Sequence, residues 1–153
     1  MRTNRIAAVA FAAAGLIGTG LATAPTASAA PADYISPIDC IQGYACFHYH
    51  SWNYANDHLS GVTANYGAVF KTASNISDFS QWYFYTDQYG SDGAGKSVKN
   101  NAAYVLNWNA THTYRVYYNS GYNCSVACQD FVAMDQDNLN SKMANNNASG
   151  KFL

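Results

Sequence analysis

The chain has 153 residues, with 8 Lys and Arg against 9 acidic residues and a formal net charge of −1. Every acidic residue is Asp, so there is neither the basic excess that binds nucleic acid nor any Glu for acid–base catalysis. The length suits a single domain with a real core and is too short for two ordinary ones.

The N-terminus carries the first pattern. Arg2 and Arg5 precede an uncharged, Ala-rich run over 6–22, and a small-residue stretch with Pro25, Ala27 and Ala29 follows. Basic, then apolar, then small is the order of a signal peptide, and Ala27 and Ala29 form the A-x-A pair. Cleavage after Ala29 is expected, leaving a short extension over 30–38, a single domain over 39–153 and no membrane segment. The leader removes two of the eight basic residues, so six remain against nine Asp, a balance of −3. The expected location is extracellular.

All four cysteines lie beyond the leader in two close pairs, Cys40 with Cys46 and Cys124 with Cys128. An even count in an exported chain reads as a disulfide framework. Of the three possible pairings the two local ones are favoured, because each segment reads as a tight turn. The C-x₅-C and C-x₃-C spacings fit structural zinc poorly.

From Cys40 onward the chain reads as short aromatic strands between turns. Candidates are 44–49, then Tyr83, Phe84 and Tyr85, then Tyr104, Val105 and Leu106, and most clearly 113–118, bounded by Asn119, Ser120 and Gly121. Residues 90–95, with three glycines, form a loop. A helical turn is expected over 137–143, where Leu139 and Met143 share a face. Many short strands with irregular turns predict an all-β sandwich of Greek-key type.

One plan occurs twice. Tyr49, Trp52 and Tyr54 span a short polar turn, as do Tyr118 and Tyr122. An Asn-rich knot follows each: Asn100 and Asn101 after the first, Asn145, Asn146 and Asn147 after the second. From Tyr49 to Asn100 is 51 residues and from Tyr118 to Asn145 is 27, so the first copy carries an insertion, expected between Thr63 and Gly95.

An aromatic corner followed by an Asn-Asn knot resembles the βγ-crystallin Greek-key motif. Within that group the chain is similar to the small secreted proteins of peptidase inhibitor family I36. The resemblance spans 39–149 and is most specific at 93–103, at 115–120 and at 43–47, opened by Cys40. It implies a βγ-crystallin-like double Greek-key sandwich that inhibits extracellular, thermolysin-like metalloproteases without a cofactor. Crystallin corners carry a glycine two residues past the second aromatic. Asn56 and Cys124 stand there instead, so the disulfide is expected to re-form the second corner.

The resemblance also raises calcium, which the motif binds with a Ser or Thr after Asn-Asn-x-x. Asn100 and Asn101 are followed by Tyr104 at that position, and Asn145 and Asn146 by Ser149. His48, His50 and His58 form a separate zinc candidate, since strand alternation places the first two on one face. No metal is expected at either set. With no H-E-x-x-H and no G-x-S-x-G, an enzyme is not expected.

An inhibitor needs an exposed, braced loop, and Ser125, Val126 and Ala127 between their flanking cysteines meet that condition. The alternative is a carbohydrate-binding or antimicrobial, toxin-like module of the same fold, with Trp52, Tyr54, Trp82 or Trp108 as stacking platforms.

Overall fold

The computed structural model describes residues 39–52, 66–88 and 90–153. The leader, the extension over 30–38, Tyr54, Asn56 and His58 lie outside the described residues. Seven strands are formed among the described residues: β1 (Ala45–His48), β2 (Val69–Thr72), β3 (Tyr104–Asn107), β4 (Tyr114–Asn119), β5 (Asn123–Phe131), β6 (Gln136–Asn138) and β7 (Ser149–Phe152). They pair antiparallel in two sheets, β2-β1-β3-β6 and β5-β4-β7.

The connectivity defines the architecture. β6 comes from the second half of the chain yet pairs with β3 of the first. Ile76, from the first half, bridges Gly150 on β7 of the second. Each half therefore lends its third segment to the other's sheet, and the result is a βγ-crystallin-like double Greek-key sandwich. Matching hydrogen bonds mark the pseudo-two-fold relation. Phe79 N–H donates to Ala148 O and Leu139 N–H to Ala103 O, both at 2.9 Å. Asn100 N–H donates to Asn147 O at 2.8 Å and Asn145 N–H to Ala102 O at 2.9 Å. From these equivalences Phe79 to Asn100 spans 21 residues where Leu139 to Asn145 spans 6, so much of the insertion lies there.

The core sits between the sheets and follows strand alternation. On β1, Ala45 and Phe47 point inward, opposite Asn107 and Val105 of β3. Tyr114 and Val116 on β4 and Phe131 on β5 meet them from the other sheet. Asn107 is fully buried among these apolar groups because its amide closes a chain turn: Nδ2 faces the carbonyls of His112 (2.8 Å), Phe131 (2.9 Å) and Val132 (3.0 Å). Asn107→Ala strands those acceptors and is expected to cost about 2 kcal/mol, measured by urea unfolding.

The expected strands at 44–49, 104–106 and 113–118 are present as β1, β3 and β4. Tyr83, Phe84 and Tyr85 differ: they make only isolated bridges, Val69 with Tyr85 and Tyr83 with Ser97. The inserted segment folds across the sandwich there rather than joining a ladder. The turn expected over 137–143 is strand β6 at its start, because the edge of β3 away from β1 recruits Gln136, Asp137 and Asn138. A single turn then closes with Ala144 N–H donating to Asn140 O at 2.9 Å.

Tyr49 anchors the first corner. Its ring meets Phe84 edge-on at 5.9 Å and lies over Gly93, where φ is +88° and any Cβ would overlap it. At the second corner, Gly121 and Tyr122 take the positive φ values, 72° and 60°, while Cys124 lies in β5. The disulfide therefore does not re-form that corner, as the sequence had implied. The Gly121–Tyr122 turn makes it.

Candidate functional site

The two disulfides are Cys40–Cys46 and Cys124–Cys128. The second is not in a tight turn between strands. It lies inside β5, the edge strand of the three-stranded sheet. Tyr117 pairs with Cys128 and Asn119 with Asn123, so two steps along β4 face five along β5. The surplus must leave the ladder as a wide bulge, and the disulfide clips its base. Within it, Ser125 N–H donates to Asn123 Oδ1 at 2.8 Å and Asn119 Nδ2 to Ser125 Oγ at 3.3 Å. Val126 at the tip is 55% exposed and Ala127 is half-buried against the core.

The strand beneath the bulge is fixed across β4. Arg115 and Asp130 face each other in register and form a bidentate pair, 2.5 and 2.6 Å. The hydrogen bonds raise the guanidinium's pKa and hold the Asp130 carboxyl below its ordinary value. The pair is exposed, so its worth is positional more than energetic. Gln129 ties the other edge, donating to Asn138 O at 3.0 Å and accepting from Asn140 N–H at 2.8 Å.

The Asn knots are brought together, in a locking role. Asn100 and Asn145 take left-handed φ values of 61° and 57°. Asn101 Nδ2 donates to the carbonyls of Ser97 and Lys99, and Asn146 Nδ2 repeats this with Lys142 and Ala144. Buried Asn147 crosses between the copies, accepting from Ala102 N–H at 3.1 Å and donating to Val98 O at 2.8 Å. Ser149 Oγ is used twice: it donates to Asn119 O at 2.7 Å and accepts from Tyr122 N–H at 3.2 Å. This is the Asn chemistry of turns.

The histidines part company. β1 ends at His48, so alternation no longer places His50 on the same face. His50 Nε2 lies 2.6 Å from Asp92 Oδ2. His48 is only 3% exposed, against the rings of both Tyr66 (5.4 Å) and Tyr104 (5.5 Å), and burial pulls its pKa down to about 4. Among the described residues no three His, Cys, Asp or Glu side chains gather as a metal site would require.

Two of the stacking-platform candidates, Trp52 and Trp108, come together in a concavity. On the outer face of the four-stranded sheet, Trp52, Tyr66, Tyr104 and Trp108 wall a cleft of about 420 Å³ with His48 lining it. Tyr66 and Tyr104 stack at 5.5 Å and 17°, and Trp52 lies 5.6 Å from Tyr66. Trp82, the other platform candidate among the described residues, is 46% exposed but lies away from the cleft, against Phe70. A further signal was that β1 and β3 carry apolar or aromatic residues at successive positions, where a strand facing water on one side alternates with polar ones.

Together these features define a disulfide-clipped, all-β double Greek-key domain. No family model matches the sequence, and no curated protein does. Among solved structures, the chain is similar to one from work on the evolution of the eye lens βγ-crystallin domain fold. The identity is 10%, the match covers 77% of this chain and 92% of that one, and the TM-score is 0.49.

Proposed function

We propose that the protein is a secreted peptidase inhibitor that presents the bulge closed by Cys124 and Cys128 to the cleft of a thermolysin-like metalloprotease. The observation that supports this reading most is the bulge itself, an exposed apolar tip on a disulfide-closed base. A protease cleft binds extended main chain and one or two side chains. A free peptide pays for its ordering on binding, whereas residues 124–128 are ordered during folding. Val126 is an apolar side chain of the size such a pocket takes.

The test is titration of the purified chain against thermolysin-like and serine proteases. Tight inhibition of the first class is expected, weakened at least about 30-fold by Val126→Asp, as for an interface hot spot. Replacing both Cys124 and Cys128 by Ser should also weaken inhibition, with only about 2 kcal/mol lost from folding because the closed loop is so short. Absence of inhibition, or a Val126→Asp variant as potent as the parent, would overturn the proposal.

A further inference from the structure

We infer that the aromatic cleft on the outer face of the four-stranded sheet is a binding site for a neutral, extended glycan, independent of the β5 bulge. Three observations carry this. The first is shape: the cleft continues past Trp52 into a second, more polar depression of about 210 Å³, sharing Trp52, Tyr104 and Gln136 with the first. A compact ligand would fill one compartment, and a chain of rings fills both.

The second is chemistry. One compartment offers ring faces, with Trp52 42% and Trp108 37% exposed, and the other offers Gln136, Asp137 and Asn138. Flat aromatic faces take the C–H face of a pyranose, while side-chain amides donate to and accept from its hydroxyls. Among the described residues no Lys or Arg lines either depression, and Asp39 and Asp137 do, so the field disfavours sulfated or uronic chains.

The third is an unmet polar group. His48, in the wall of the cleft, is buried and its Nδ1 has no hydrogen-bond partner. A buried orphan of this kind is uncommon and asks for an explanation. The ring is neutral, so Nδ1 is a donor in one tautomer and an acceptor in the other. A hydroxyl can answer both, which a carbonyl or an ammonium cannot.

The site is held before a ligand arrives. Trp52 N–H donates to Asn138 Oδ1 at 2.6 Å, and Tyr104 Oη donates to Gln136 Oε1 at 2.8 Å. The first bond, from the Trp52 main-chain N–H, holds the backbone that carries the indole, and the second fixes the phenol, both from the β6 side.

The experiment uses the full secreted chain with cellohexaose and N-acetylchitohexaose as probes, followed by intrinsic tryptophan fluorescence and calorimetry. Binding of at least one probe is expected. Trp52→Ala should weaken it more than tenfold, with thermal unfolding monitored to show the domain intact. Trp82→Ala, away from the cleft, should leave binding unchanged. A ligand-induced shift of the His48 ring ¹⁵N resonances should report the new hydrogen bond. Val126→Asp should bind the glycan normally, which separates this site from the inhibitory one. No binding of either probe at millimolar concentration would overturn the inference. So would binding indifferent to Trp52→Ala, or a preference for an apolar peptide over both glycans.

Discussion

Phe47→Ala is expected to lower the stability of the domain by about 3–5 kcal/mol, the range for emptying a buried aromatic site. Phe47 is fully buried on β1 and meets three rings: Phe79 at 5.1 Å, Tyr114 at 5.7 Å and Phe70 at 6.0 Å. Each comes from a different part of the topology. Phe70 is its neighbour on β2, Tyr114 belongs to the opposite sheet, and Phe79 lies in the segment that the first half lends to the second. Removing the ring therefore loosens the contact between the sheets and the exchange that interlocks the halves. Against a typical total of about 5–15 kcal/mol, the loss is large enough to leave a measurable unfolded fraction. Urea unfolding should show a lower midpoint with the slope little changed. Phe47→Leu keeps most of the volume and should cost far less. A loss below about 1 kcal/mol for Phe47→Ala would mean that this ring is not where the sheets meet.

Phe47 sits in a strand that could be read from the chain, and other strands could not, for identifiable reasons. β1 and β4 are rich in Tyr, Phe and Val, the residues that suit a pleated, half-buried surface. β6 is Gln136, Asp137 and Asn138, all poor strand formers, and exists because β3 has an open edge beside it. β5 is an exposed edge strand interrupted by its bulge, so neither alternation nor apolar content marks it. The Asn knots were legible because tight turns need Asn at left-handed φ, and Asn100 and Asn145 are both in that region. Their hydrogen-bonded lock was not, because it depends on Asn147 reaching Val98 across 49 residues of sequence. The bulge residues 125–127 were named because the inhibitor resemblance asks for an exposed, braced loop and the cysteines flank one, although the element holding them was taken for a turn. Of the aromatic cleft, Trp52 and Trp108 were legible as stacking platforms, but their gathering into one cleft was not. Its walls come from residues 39–41, 48, 52, 66, 88, 104, 106, 108 and 136, which the pairing of β1 with β3 and of β3 with β6 brings together.

Acid should destabilise the protein in a window set by His48. Burial lowers its pKa in the folded state from 6.5 to about 4, because the cation would lose water without gaining a partner. Above about pH 6.5 the imidazole is neutral in both states and stability is unaffected by it. Between about 6.5 and 4 the unfolded chain takes up a proton that the folded chain refuses, so stability falls as pH falls. Below about 4 both states are protonated and this loss is complete, at about 3 kcal/mol. The carboxylates act elsewhere on the scale. Backbone donation from Ser80 lowers the pKa of Asp78, and Arg115 lowers that of Asp130, so what they contribute is lost only as pH falls below the ordinary carboxylate range. Both are exposed enough for solvent to screen that contribution heavily. Urea unfolding at pH 7, 5.5 and 4.5 should therefore show a progressive loss in the parent chain. His48→Phe keeps a ring against Tyr66 and Tyr104 and removes the proton acceptor, so its stability should be nearly flat over that interval and fall only at lower pH. If parent and variant lost stability in parallel from pH 7 to 4.5, the protonation responsible would lie at another residue. The same variant lacks Nδ1 and should bind glycan more weakly at pH 7, where the fold is not under acid stress. That joins the buried imidazole's two consequences, acid sensitivity and an unmet hydrogen bond, to a single cause: a polar ring placed where the fold gives it no partner.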